Sequence, residues 1–344
     1  MVPPWPTSRR PTRSSPSCAP GGRRPRRKLP PGAAKTLRNR RQKRGALARG
    51  TLSTAHHRAP PPVGRAACGP GRHWDATGAR RRRRPLATEL EARRTIVKIG
   101  VLGVGHIGKT LTQRLAAAGH QVKAANSRGP HTIEADALST GGRAVTAAEA
   151  VEDVDVVILS IPLNRLPQVA PLIADVPVDT VVIDTSNYYP ARDGRIEAID
   201  AGQAESLWVT EQLGRPIAKT WNAIGSHSFA AKGKPAGSPD RVAIPIAADR
   251  DQDRKAAMAL VEDTGFDAFD AGALADSWRQ QPGAPCYCTD LTREEMPGAL
   301  AAAEAERLPK RRDLAVAAIQ ERVGDATTNP DAEYGVRLNR ALFV

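Results

Sequence analysis

The chain has 344 residues, with 51 Lys and Arg against 36 Asp and Glu, which gives a formal net charge of +15. Taken over the whole chain, this excess favours a nucleic-acid-binding protein. The charge is unevenly distributed, because residues 1–94 contain 25 basic and three acidic residues, a net of +22, whereas residues 95–344 contain 26 basic and 33 acidic residues, a net of −7. The two parts therefore need separate interpretations.

No run of about 18 apolar residues occurs, so a membrane-spanning helix is not expected. The amino terminus also lacks the apolar core of a secretory signal. Four cysteines, Cys18, Cys68, Cys286 and Cys288, form neither a C-x-x-C pair nor a cluster at zinc spacing, so no metal site is expected. We predict a reducing, cytoplasmic setting.

Residues 1–94 hold 14 of the 29 prolines and show no sustained apolar periodicity, which predicts a disordered basic Arg/Pro-rich tail. Three interpretations stay open: a tail for nucleic acid or another acidic partner, an organelle transit peptide, and an extension from a misassigned upstream start. Nucleic acid is the less favoured partner, because Trp5 and Trp74 are the only Phe, Tyr or Trp residues available for stacking.

The first predicted element of the remaining chain is a β-branched run, Thr95–Leu102, typical of a parallel strand buried on both faces. A glycine-rich turn follows, and Lys109–Ala118 is a predicted helix closed by Gly119. Further strands are predicted at Gln121–Ala125, Arg143–Val145, Asp155–Ile161 and Thr180–Asp184, and helices at Thr132–Leu138 and Leu166–Ile173. This alternation predicts an α/β fold with a doubly wound parallel sheet, a Rossmann fold.

The pattern continues less regularly beyond residue 190. Helices are predicted at Ile196–Leu213, Asp251–Asp263 and Ala299–Glu321, and strands at Ile217–Ala223, Arg241–Ala247 and Phe266–Phe269. We therefore predict a nucleotide-binding Rossmann domain at residues 95–189, a smaller α/β substrate domain at 190–325, and a C-terminal tail at 326–344.

The glycine-rich turn, Gly103-Val-Gly-His-Ile-Gly108, lies between the buried strand and the helix. In this context Gly103 permits a tight turn, Gly105 lets backbone approach a pyrophosphate, and Gly108 lets the helix pack closely on the strand. The helix amino terminus favours the phosphate charge. The turn, with His106 and Ile107, is therefore a predicted dinucleotide site.

The end of the second strand distinguishes the two nicotinamide cofactors. NAD-specific sites carry an acidic residue there, which binds the ribose hydroxyls. This chain instead has Asn126, Ser127 and Arg128, whose hydroxyl and guanidinium suit a 2′-phosphate. We therefore expect NADP(H) rather than NAD(H).

Together these residues resemble the NADPH-dependent reductases of the deazaflavin coenzyme F-420 and the wider group of related dinucleotide-binding oxidoreductases. The resemblance spans roughly residues 96–290. It rests on Gly103–Gly108, Asn126–Arg128, Val157–Pro162, Val181–Asn187, Lys219–Ile224 and Gly265–Asp276.

The resemblance also implies roles for individual residues. Ser127 and Arg128 would hold the 2′-phosphate, and Ser160, Ile161 and Pro162 would flank the cofactor's ribose and nicotinamide. Asn222 would lie near the nicotinamide face. The family's second domain closes over a deazaflavin pocket, to which Leu274–Gln281 would contribute.

The reaction implied by the resemblance is hydride transfer between NADP(H) and a deazaflavin, coenzyme F-420, or a flavin-like acceptor. Such a reaction needs close stacking and exclusion of water more than an acid or base, so no catalytic residue is assigned. His106 and His227 are the candidates for handling a proton. Cys286 and Cys288, at C-x-C spacing, are either redox-active or simple thiols.

Two alternatives stay open. One is a small-substrate NADP-dependent dehydrogenase or reductase, for which Lys219 is the candidate catalytic residue. The other is an NADP(H)-binding sensor without catalysis. The expected partner is a small-molecule substrate, without a membrane, and a homodimer is compatible with the sequence.

Overall fold

The computed structural model describes residues 95–324, 328 and 330–344, which belong to one unit. The predicted basic tail, residues 1–94, lies outside the described residues, and its three interpretations stay open. None of the described helices is long and apolar enough to cross a membrane.

One sheet organises the described residues. Its eight strands are β1 (Lys98–Leu102), β2 (Gln121–Ala125), β3 (Arg143–Ala144), β4 (Val156–Leu159), β5 (Val181–Asp184), β6 (Ala218–Lys219), β7 (Ala243–Ala248) and β8 (Asp267–Asp270). They lie in the order β3-β2-β1-β4-β5-β6-β7-β8. The neighbours from β3 to β6 pair in parallel, β7 runs antiparallel to β6, and β8 is parallel to β7. The predicted Rossmann-type α/β fold is confirmed.

Helices connect and cover these strands. In the described part of the chain they are α1 (His106–Ala117), α2 (Ala147–Val151), α3 (Leu166–Ala174), α4 (Pro190–Asp193), α5 (Glu197–Asp200), α6 (Glu205–Leu213), α7 (Ser226–Ala231), α8 (Asp251–Asp263), α9 (Met296–Ala301), α10 (Leu308–Val323) and α11 (Ala332–Phe343).

Two apolar layers enclose the sheet because successive strand residues point to opposite faces. On one face Val101 and Ile158 pack with residues of α1 and α8. On the other, Leu102 and Leu159 pack with residues of α3 and α6. The central strands are therefore buried on both faces, as their β-branched sequences predicted.

Several predicted boundaries are wrong for local reasons. The helix Ile196–Leu213 is divided into α5 and α6, because Gly202 has a φ of 103°, in the left-handed region that ends a helix. The strand Ile217–Ala223 is reduced to the two residues of β6, since Trp221 leaves the extended conformation with a φ of 55°. The helix Thr132–Leu138 is replaced by two 3-10 turns.

The helical C-terminal region also differs from its prediction. The helix Ala299–Glu321 is interrupted after Ala301, and α10 begins at Leu308, where the following proline is tolerated in the first turn. The predicted tail contains α11, which Asp331 caps by accepting a hydrogen bond from the backbone N–H of Tyr334 at 2.9 Å. The domain boundary at 189/190 stays a prediction, and β6 to β8 continue the same sheet past it.

Candidate functional site

The candidate site lies where the order of strands reverses. The chain passes from β1 to β2 on one side and returns to β4 on the other side of β1, which opens a crevice outside the carboxyl ends of β1 and β4. Gly103–Gly108 follow β1, and Ser160–Pro162 follow β4. The fold thus brings two of the predicted segments to the same edge of the sheet.

The three glycines differ in the space around them. A Cβ at Gly103, where φ is 97°, would lie 2.2 Å from the carbonyl oxygen of Ser160, and one at Gly108 would lie 1.9 Å from that of Gly103. No atom lies within 4 Å of the Cβ position at Gly105. Open space therefore remains at the amino end of α1, which begins at His106 rather than at the predicted Lys109.

That open space fits a dinucleotide pyrophosphate. Backbone N–H groups of the first helical turn have no partner within the helix, and they attract anions together with the helix dipole. Because α1 begins directly after Gly105, these groups lie at the crevice. The residues present are therefore suited to hold the phosphates of NADP(H).

The Asn126–Arg128 segment forms a turn beside the glycines. The Asn126 side-chain oxygen accepts a hydrogen bond from the Val104 N–H at 2.8 Å, and its backbone carbonyl accepts one from Gly129 at 3.1 Å. Asn126 thus fixes the glycine-rich turn. Arg128 is exposed and has no hydrogen-bond or ion-pair partner among the described residues, so its charge is available to a ligand phosphate.

A cavity of about 630 Å³ extends from this edge. Seven predicted site residues line it: Gly105, His106, Ile107, Ser160, Ile161, Pro162 and Asn222. Of the other five, Gly103 follows β1, Gly108 lies in the first turn of α1, and Asn126, Ser127 and Arg128 follow β2. Contact of all twelve with a cofactor stays a prediction.

Asn222 is held in one orientation at the cavity wall. Its side-chain nitrogen donates to the Gln280 carbonyl at 2.8 Å and to the Asn187 side-chain oxygen at 3.2 Å, while its oxygen accepts from the Gln280 side chain at 2.9 Å. The predicted contribution of Leu274–Gln281 to an acceptor pocket stays a prediction: Gln280 supports Asn222, and the following residues Pro282, Gly283 and Tyr287 line the cavity. The C-terminal helices, which sequence reasoning did not place here, complete the wall.

Lys219 lies outside the cavity. Its ammonium group is 2.7 Å from the Asp184 carboxylate, and both side chains are fully buried. It also donates to the Ser186 carbonyl. Lys219 thus neutralises a buried carboxylate and is not placed to meet a substrate.

A second buried carboxyl, Glu205, lies at the start of α6. Its side-chain Oε2 has no hydrogen-bond partner within the described structure, and the residue is 3% exposed. Burial raises the pKa of Glu205 to about 7, because removal from water disfavours the charged form. The Lys219 charge acts in the opposite direction.

The remaining candidates are two histidines and two cysteines, and Cys288 also lines the cavity. His106 and His227 both line the cavity and are exposed, and His227 lies in α7 rather than in the predicted loop. Burial raises the pKa of Cys286 to about 12 and that of Cys288 well above its ordinary value. The thiolate forms needed for redox chemistry are therefore disfavoured.

Comparison with known proteins finds a family similarity over the segment that carries the predicted nucleotide site. A family model described as NADP oxidoreductase, coenzyme F-420-dependent, matches residues 98–188. This segment holds the glycine-rich turn, Asn126–Arg128 and Ser160–Pro162. The resemblance inferred from the motifs is therefore confirmed for an NADP oxidoreductase family over this part of the chain.

Individual relatives match over limited lengths or at low similarity. The Escherichia coli K12 protein YjhV is 48% identical over 56 residues, which are 16% of this chain and 41% of YjhV, so less than half of that relative is spanned. The hypothetical protein SMa0349 from Sinorhizobium meliloti is 26% identical, with a TM-score of 0.49, covering 57% of this chain and 96% of that one. A candidate F-420-dependent NADP reductase from Arthrobacter sp. FB24 is 16% identical, with a TM-score of 0.43 and coverage of 68% and 98%.

Proposed function

We propose that this protein transfers a hydride between NADP(H) and a deazaflavin or flavin-like acceptor. The observation that carries the proposal is the extent of the cavity, about 630 Å³, which begins at Gly105 and reaches α10 and α11. Small-molecule sites occupy about 300–1,000 Å³. The cavity thus offers space for an acceptor ring beside the nicotinamide, next to the segment that matches the NADP oxidoreductase family.

In this proposal the nucleotide lies along the edge formed by β2, β1 and β4. The first turn of α1 binds the pyrophosphate, while Ser127 and Arg128 bind the 2′-phosphate. Bound NADPH supplies the hydride from its nicotinamide ring. Ile161 and Pro162, which line the cavity, give that ring an apolar surface, and Asn222, held by Gln280 and Asn187, fixes the wall beside it.

The contribution of the chain is alignment and exclusion of water. Ile161, Trp221 and Ile224 line the cavity and are each less than a tenth exposed. An apolar wall of this kind holds two flat rings in contact and keeps water from the reacting carbon. No proton needs to move for the hydride itself to transfer.

The small-substrate dehydrogenase is not favoured, because its candidate catalytic residue, Lys219, is fully buried against Asp184. The sensor alternative uses the same nucleotide site and differs from the reductase in whether NADPH is oxidised. A sensor would bind NADPH at the same turn without oxidising it.

The test uses the full chain with NADPH and, in separate reactions, coenzyme F-420, FMN or a quinone, followed by absorbance at 340 nm. We expect acceptor-dependent oxidation, fastest with F-420 or FMN. Tight NADPH binding without oxidation by any acceptor would instead support the sensor.

A further inference from the structure

Arg312 is a nearly buried cation at the cavity wall. Its side chain is 10% exposed, and Arg312 is among the residues that line the cavity. Its guanidinium lies over the Tyr188 ring, 5.4 Å from the ring centre. Tyr188 follows β5, so this contact fixes the guanidinium near the carboxyl end of the sheet.

The Arg312 guanidinium retains free donors. Its Nε donates to the Asp313 carboxylate at 2.8 Å, but that carboxylate is 65% exposed, so water weakens the pair. Neither terminal nitrogen of Arg312 has an acceptor among the described residues. Neither nitrogen is fully buried, so both are accessible to a ligand in the cavity. A buried guanidinium with two unpaired terminal nitrogens is suited to the two oxygens of a phosphate.

Few charged side chains line the cavity. Among its described lining residues, the charged side chains are Arg192, Arg312 and Asp331. Arg192 is largely neutralised by the Asp193 carboxylate at 2.8 Å, and Asp331 caps α11. Arg312 and Asp331 therefore carry opposite charges on this wall, and an anion is favoured at the unpaired Arg312 donors rather than over the cavity as a whole.

The position of Arg312 separates it from the nucleotide phosphates. The pyrophosphate is assigned to the turn after β1, whereas Arg312 packs on Tyr188, which follows β5. The order β1-β4-β5 places these strands two spacings apart, about 10 Å at roughly 4.8 Å per strand. The free donors of Arg312 therefore lie on the acceptor side of the cavity.

We propose that the hydride acceptor carries a phosphate group and that Arg312 binds it. This inference rests on the proposed function, in which the acceptor binds in the same cavity as NADP(H). Arg312 then determines specificity between acceptors that share a ring system and differ in the phosphate.

The test compares FMN with riboflavin, which have the same ring and differ in the phosphate. Binding of each to the full chain is measured by quenching of flavin fluorescence with NADP⁺ present, which requires no turnover. We expect FMN to bind at least about tenfold more tightly than riboflavin, and Arg312→Gln to abolish this preference by weakening FMN alone. The Kd for NADP⁺ should stay unchanged.

Arg322 provides a matched control on the same helix. Its guanidinium also lies over a tyrosine, 4.2 Å from the Tyr334 ring centre, and Arg322 does not line the cavity. Arg322→Gln should therefore keep the preference for FMN. If Arg312→Gln fails to fold, as circular dichroism would show, Arg312→Lys, which retains the charge, replaces it and should keep part of the preference.

Several results would overturn the inference. One is an equal Kd of the natural chain for FMN and for riboflavin. Another is an Arg312→Gln variant that loses affinity for FMN and riboflavin equally, or that loses affinity for NADP⁺ alone. Failure to bind either flavin would also overturn it. Phosphate-dependent flavin binding without NADPH oxidation would support the inference while contradicting the proposed catalysis, so the two failures are distinguishable.

Discussion

The buried carboxyl of Glu205 should make the stability of the protein depend on pH. An unfolded chain ionises this group near 4.5, whereas burial raises its pKa to about 7 in the folded chain. Between these values the folded state retains a proton that the unfolded state releases, so stability falls as pH rises from 4.5 to 7. At about 1.36 kcal/mol per pH unit, the full cost above pH 7 is about 3 kcal/mol.

Replacing Glu205 with Gln removes the ionisation while keeping the shape of the side chain. The stability of Glu205→Gln relative to the natural chain should therefore increase between pH 5 and pH 8, by about 2–3 kcal/mol. Urea unfolding of both chains at pH 5, 6, 7 and 8 measures this change. Glu211→Gln, an exposed position on the same helix α6, is the control.

A stability difference between Glu205→Gln and the natural chain that stays the same at all four pH values would refute the reasoning. The same conclusion would follow if Glu211→Gln gave an equal pH-dependent gain. Either result would mean that burial of Glu205 does not hold its carboxyl in the protonated form.

Three further predictions concern the nucleotide and the thiols. In steady-state assays Arg128→Ala should raise the KM for NADPH by about tenfold or more and leave the KM for NADH unchanged, because a charge-assisted contact of about 1.5–3 kcal/mol is lost. An unchanged ratio of the KM values for NADPH and NADH would contradict the assignment. Gly105→Ala should keep the Tm, since its Cβ meets no atom within 4 Å, but should lower NADPH affinity by about tenfold or more in fluorescence titration. Gly108→Ala should lower the Tm, since its Cβ would lie 1.9 Å from a carbonyl oxygen, and equal Tm losses in the two variants would contradict this distinction. Cys286 and Cys288 should resist iodoacetamide at pH 8 in the folded chain and react after unfolding, because their raised pKa values disfavour the reactive thiolate. Peptide mapping measures the labelling, and rapid labelling of the folded chain would contradict this prediction.

Local pattern was sufficient for two elements of the fold and for the glycine-rich turn. The strand Gln121–Ala125 and the helix Asp251–Asp263 have the predicted bounds, because apolar periodicity and adjacent glycines define both. The glycine-rich turn was found for the same reason, since its spacing and its position between strand and helix are both local.

The other parts of the site depend on contacts between distant residues. Asn222 meets Gln280 across 58 positions, and Lys219 meets Asp184 across 35, which no local pattern specifies. Arg312 reaches the cavity only because α10 folds back over the end of β5. Asp331 at the cap position and the amphipathic pattern of the residues that follow it were both sequence signals for α11, and recognising them would have placed a helix in the predicted tail.

Direct transfer of hydride is the central claim, and an isotope label tests it. NADPH carrying deuterium at nicotinamide C4, prepared separately with the label on each face, is mixed with the full chain and oxidised coenzyme F-420. Mass spectrometry then measures the label in the reduced deazaflavin, whose new C–H bond does not exchange readily with water. The account predicts that one of the two labelled cofactors delivers its deuterium to the acceptor, whereas a reduced acceptor without deuterium from either cofactor would contradict it.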